Sequence, residues 1–143
     1  MNKKECFQYF KTQPKNERWG WSGISEKGDT VAVTVWKDQL DGFKEKKPFW
    51  NTFSLPHNQR NELWKDQLGN KARIEHLLFS LKNLNGMVRV IITEAEKEDS
   101  FPRKIKRCYP LCNHWYKIKK LNENTGEVYL KFSHQDPIPN KYL

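Results

Sequence analysis

The sequence predicts an α+β fold: a mixed, strongly bent β-sheet or partly closed barrel with two or three helices. Three patterns predict it. Val31, Val33 and Val35 alternate with Ala32, Thr34 and Trp36, as a half-buried strand requires. Ile74, Leu77, Leu78, Leu81 and Leu84 keep the 3–4 spacing of an amphipathic helix. HWYKIKKL and EVYLKFS flank NENTG, a pattern that predicts a second β-hairpin. The 143 residues suffice for a single domain over 1–143, with its folded core at about 18–133.

Taken in order, residues 3–12 read as a short first helix, although Phe7, Tyr9 and Phe10 are too closely spaced to distinguish helix from strand, and Pro14 ends or bends the element. Residues 19–24 read as a strand. SEKGD is a turn in which Gly28 supplies a permissive dihedral, and residues 30–36 return as the second strand of a hairpin. The valine face is the expected core. Residues 37–57 carry few regular signals and read as a long connection, holding Lys44, Lys46 and Lys47 among Phe43, Phe49, Trp50 and Phe53. It is either a loop anchored by its own aromatics or a lid over the tryptophan region.

Leu63, Trp64 and Leu68 begin a helical pattern, with Gly69-Asn70 as a break and Asn70 as the cap of a second helix. Asn85-Gly86 ends that helix. Met87–Thr93 is apolar enough for a central strand covered on both sides. Residues 101–108 read as a short helix starting near Pro102. In the last hairpin Tyr116, Ile118 and Leu121 break strict alternation, which predicts a bulge. WKDQL occurs at Trp36–Leu40 and again at Trp64–Leu68; the flanking residues do not repeat, so it reads as coincidence and not as a structural duplication.

Composition narrows the partner. Twenty-six Lys and Arg against 17 Asp and Glu give a net charge of +9, which favours an anionic partner, nucleic acid before a membrane surface. No apolar run is long enough to span a bilayer, and MNKKECFQYF has no apolar signal segment. Cys6, Cys108 and Cys112 are too few for a disulfide framework, so reduced thiols and a cytoplasmic location are expected.

Two sets of residues carry candidate chemistry. Trp19, Trp21 and Trp36 cluster near Gly20 and Gly23, and flat rings beside close backbone suit a planar ligand. Ser22 and Thr34 would supply edge contacts to a base. Arg103, Lys104, Lys106 and Arg107, followed by Lys117, Lys119 and Lys120, form the expected phosphate-contacting surface. Arg18, Lys37, Arg60, Lys65, Lys71 and Arg73 would extend it. The bland alternatives are a tryptophan core and a solvated basic face.

Other chemistry is thinner. Cys108, Cys112 and His114 lack a second cysteine pair for structural zinc, and Pro110 disrupts a helical ligand pair. Glu94 and Glu96 follow the apolar strand and would hold a divalent ion with Lys97 nearby in a nuclease reading, but Glu96 adjoins Lys97 directly. Glu75 and His76 read as structural or solvated. No catalytic set, metal site or cofactor site is assigned.

RWGWSG, the bent β-rich order and the chain size give a loose resemblance to PUA-like domains, including EVE-type readers of modified bases. That resemblance implies a curved sheet with an aromatic-lined cavity that accepts a nucleobase. Trp19, Trp21 and Trp36 would be its walls, with Ser22 and Thr34 as edge contacts. The expected function is a non-catalytic nucleic-acid-binding module, DNA ahead of RNA, that reads a modified or flipped base. The alternatives are a structural or protein-interaction domain and a metal-dependent nuclease or other nucleic-acid enzyme.

Overall fold

Two valine-rich strands organise the molecule. In the computed structural model, which describes residues 1–42, 48–55, 59, 64, 66–99 and 103–136, β3 (Val31–Trp36) runs parallel to β6 (Met87–Ala95). Val33 stands opposite Val90 and Val35 opposite Ile92. A parallel pair needs a long crossover connection. Here the chain between the two includes α2 (Leu68–Asn83), whose Leu77 packs into the core formed by Val31, Val33, Val35, Val88, Val90 and Ile92.

The sheet is mixed, strongly bent and not fully closed. On one side of β3 lie β2 (Ser22–Ser25) and β1 (Thr12–Gln13), both antiparallel. Beyond β6 come β8 (His114–Leu121), β9 (Val128–Gln135), β5 (Phe49–Asn51) and β4 (Leu40–Asp41). β6 pairs β8 only at Met87 and Val88. Its later residues pair β7 (Ile105–Pro110) instead. One long strand thus joins two sets of partners, and the sheet bends around it.

The second helix, α1 (Lys3–Tyr9), starts with a capping box: Asn2 Oδ1 accepts from Glu5 N at 2.8 Å, and Glu5 Oε1 accepts from Asn2 N at 3.1 Å. It covers the other face of the sheet, where Cys6 and Phe7 pack with Ala32, Ile91 and Cys108. Packing therefore reaches N-terminal to residue 18.

Several expectations hold. Gly28 and Gly126 take positive φ in their turns, at 72° and 85°. The pairing of β8 with β9 shifts register between Trp115 and Tyr116 and between Ile118 and Lys120. Asn85 and Gly86, at φ 55° and 73°, end α2, where Gly86 N donates to Ser80 O at 3.0 Å.

Others are corrected. Strand β2 begins at Ser22, so Trp19 and Trp21 precede it and strand alternation does not set their direction. The described part of residues 37–57 is not an unstructured connection. It includes 3-10 turns at Lys37–Gln39 and Thr52–Ser54 and the strands β4 and β5. Three residues are too few to show a period, and Phe49–Asn51 is defined by pairing with Tyr129–Lys131. Lys44, Lys46, Lys47 and Phe43 lie outside the described residues, as do Arg60, Leu63 and Lys65. Asn70 is not a helix cap: α2 begins at Leu68 with Gln67 as N-cap.

The expected helix near Pro102 is strand β7 among the described residues, because backbone pairing with Ile91–Ala95 outweighs local propensity. The leucine stripe of α2 is only partly the buried one. Leu77 is buried and Leu84 packs on the core, but Leu78 and Leu81 are 38% and 43% exposed. The buried face of α2 instead includes Asn70, Arg73, His76 and Ser80, a polar row at helical spacing.

Candidate functional site

A cavity of about 360 Å³ collects residues from both helices and from four strands, and this lies within the range of small-molecule sites. Trp21, Trp36, Trp50 and Trp64 line it. So do the cations Lys3, Arg18, Arg73 and Arg103, and among the described residues no carboxylate does. Thr34, Thr52, Thr93, Gln39 and Gln67 supply short polar groups.

Two of the indoles are fixed by hydrogen bonds at their edges. Trp50 Nε1 donates to Gln39 Oε1 at 3.0 Å, and Gln39 Nε2 donates to Gln59 Oε1 at 3.2 Å. Trp64 Nε1 donates to Gln59 O at 3.2 Å. Trp21 and Trp64 meet edge to face with centroids 6.5 Å apart. Trp21 O accepts from both Thr34 N, at 2.9 Å, and Thr34 Oγ1, at 3.2 Å, which ties the segment before β2 to β3. Gly69 lets α2 approach this segment: a Cβ there would lie 2.5 Å from Trp19 O and 2.6 Å from the Trp21 ring.

Arg73 is the least ordinary group in the cavity. It is 5% exposed, and its guanidinium lies 5.0, 5.2 and 5.2 Å from the ring centroids of Trp21, Trp50 and Trp64. Its Nη2 donates to Asn70 Oδ1 at 3.1 Å, while Nε is buried without an acceptor. Burial pulls its pKa down to about 9, which still leaves it charged at neutral pH. Among the described residues no carboxylate pairs with it. Arg103 differs: its guanidinium makes a two-pronged pair with Asp38 at 2.6 and 2.7 Å and also lies 5.1 Å from the Trp36 ring.

Of the residues expected to contact a base, Trp21, Thr34 and Trp36 line this cavity. Trp19 and Ser22 do not. Ser22 is fully buried and its Oγ lies 2.6 Å from His76 Nδ1, so it joins β2 to α2. Of the expected phosphate set, Arg103 alone lines the cavity. Lys104 precedes β7, and Lys106 and Arg107 lie on it; all three are exposed, with Arg107 Nε 2.9 Å from Glu94 Oε2. Lys117, Lys119 and Lys120 belong to β8, and Lys120 Nζ sits over the Phe53 ring at 4.3 Å. The two groups therefore lie on separate strands that pair different parts of β6. Glu94 is held by Arg107 and lies 3.7 Å from Lys37, and the hydrogen bond from Arg107 keeps its carboxyl below the usual range. No group of three His, Cys, Asp or Glu suited to a metal occurs among the described residues.

Sequence reading missed Trp50, Trp64, Gln39, Gln67 and the role of Arg73. A signal for three of them, Gln39, Trp64 and Gln67, was present. In both copies of WKDQL the Trp and the Gln line the cavity, or in the first copy also brace it: Trp36 with Gln39, and Trp64 with Gln67. Comparisons with family models, curated proteins and solved structures return no match.

Proposed function

We propose that this domain binds nucleic acid and receives one flipped or unpaired base in the tryptophan-lined cavity, as a recognition module and not as a catalyst. One observation carries the reading: a single cavity combines four indoles and four cations with no carboxylate on its described lining. A base stacked on an indole gains roughly 1–3 kcal/mol, and solvent-reaching cations of the lining, Lys3 and Arg18, hold phosphates without reading sequence. The likeness of RWGWSG to EVE-type readers is the sequence argument for the same function. DNA in the cytoplasm is the preferred target. Among the described residues no helix is long and apolar enough to cross a membrane.

The test is fluorescence anisotropy with matched DNA and RNA oligonucleotides, duplex and single-stranded, each with one variable base. Binding that weakens with salt and a base preference lost in Trp36→Ala are expected. Equal preference in wild type and Trp36→Ala removes the base-cavity assignment. A protein partner recovered by pull-down, with no oligonucleotide bound, replaces it with the interaction-domain reading. Divalent-ion-dependent cleavage that disappears when Glu94 and Glu96 are both replaced would make the protein a nuclease.

A further inference from the structure

Arg73 allows the ligand class to be narrowed, on the assumption that the base-cavity reading above is right. A buried guanidinium without a counter-charge is costly even after the surroundings relax. Three indole faces offset part of that cost by cation–π attraction. They cannot accept in-plane N–H bonds. A guanidinium has five N–H donors, and only the one given to Asn70 Oδ1 has an acceptor among the described residues. The other buried cation on the lining, Arg103, is already neutralised by Asp38. Lys3 and Arg18 are less buried and meet water. Among the described residues, the buried charge of the cavity that has no counter-charge is therefore that of Arg73.

A neutral base edge with two acceptors would satisfy N–H groups but leave the charge. A carboxylate satisfies both, because its two oxygens match the planar fork of an arginine. We infer that the cavity selects a base bearing a carboxylate-type anionic substituent, with that substituent seated on Arg73 and the ring among Trp21, Trp36, Trp50 and Trp64. Thr34 and Thr93, also on the lining, are placed for the remaining polar edge.

The experiment titrates the intact protein with DNA oligonucleotides that differ at one nucleotide: cytosine, 5-methylcytosine or 5-carboxycytosine. Intrinsic tryptophan fluorescence and anisotropy are both read. The 5-carboxycytosine oligonucleotide is expected to bind about tenfold more tightly, the scale of one charge-assisted hydrogen-bonded pair. Arg73→Lys keeps the charge and loses the fork, so the preference should shrink. Arg73→Met should abolish it, so that the three oligonucleotides bind alike. Because Arg73→Met could fail to fold, a second measurement uses wild type only: free orotate, a pyrimidine carboxylate, should raise the melting temperature where uracil and benzoate do not.

Equal affinity for the three oligonucleotides, with all three weakened by Trp36→Ala, would overturn the anionic-base inference and leave the base cavity standing. No binding of any oligonucleotide would overturn both. A preference that persists unchanged in a folded Arg73→Met variant, or an equal shift by orotate and benzoate, would also overturn the inference.

Discussion

Asn70 ties Arg73 to the turn between β8 and β9. Its Oδ1 accepts from Arg73 Nη2 at 3.1 Å, and its Nδ2 donates to Thr125 O at 2.9 Å in the turn between β8 and β9. Gly126 makes this possible, since a Cβ there would lie 2.0 Å from Asn70 Oδ1. The buried cation is thus placed by a turn some fifty residues away in the chain.

Gly126→Ala should disturb this link directly. The residue sits at φ 85°, where an L side chain is strained, and the added methyl meets Asn70. A loss of about 1–3 kcal/mol is expected. Urea denaturation measures it, and a changed tryptophan emission in the native state would report displacement of Arg73 from the indoles. Unaltered stability and emission would show that Asn70 does not depend on the turn.

Gly69→Ala sets two effects against each other. Alanine favours a helix over glycine by about 1 kcal/mol. The added Cβ, however, would lie 2.5 Å from a backbone oxygen, Trp19 O, and 2.6 Å from the Trp21 ring. Backbone cannot yield as a flexible side chain does, so destabilisation should win. A shifted tryptophan spectrum with a lower melting temperature is the expected outcome; a higher melting temperature would mean that propensity dominates.

Acid should weaken the packing of α2 on β2. Burial is the main cause that lowers the pKa of His76, with Lys15 nearby adding to it. A depressed folded-state value means stability is full above the unfolded pKa of about 6.5 and is lost as pH falls through the folded value. A stability profile from pH 8 to pH 5 should fall in wild type and be flatter in His76→Gln. Identical slopes would assign the loss to other groups.

The thiols should divide by burial. Cys112 is exposed, whereas Cys6 and Cys108 are buried with their sulfurs 3.6 Å apart. Burial, with the Cys108 thiol beside it, pushes Cys6 up to about 12. Iodoacetamide at pH 8 should therefore label one cysteine in the native protein and three in urea, as counted by intact mass. Rapid native labelling of Cys6 would contradict the packing of α1 on the sheet.

Much of the fold was legible because its signals are local. The valine alternation of 31–36, the apolar run of 87–93 and the bulge among Tyr116, Ile118 and Leu121 each follow from residues close in sequence. Strands β5 and β7 were not legible. One is too short to show a period, and the other is carried by pairing with β6. The cavity was half legible: Trp21, Thr34 and Trp36 came from one glycine-bearing stretch, but Trp50 and Trp64 came from a segment with no local signal beyond the repeated WKDQL.

By itself, then, the sequence determined an α+β chain of high positive charge, with a valine core and tryptophans grouped beside glycines. Those properties follow from residue chemistry and short-range periodicity. Only the tertiary structure decided which tryptophans share a cavity, that Arg73 lies buried among three of them, and that Arg103 rather than Arg73 receives Asp38. On a helix read alone Arg73 is one more surface charge. Its environment comes from α2 turning a polar row toward the sheet, and long-range packing sets that rotation.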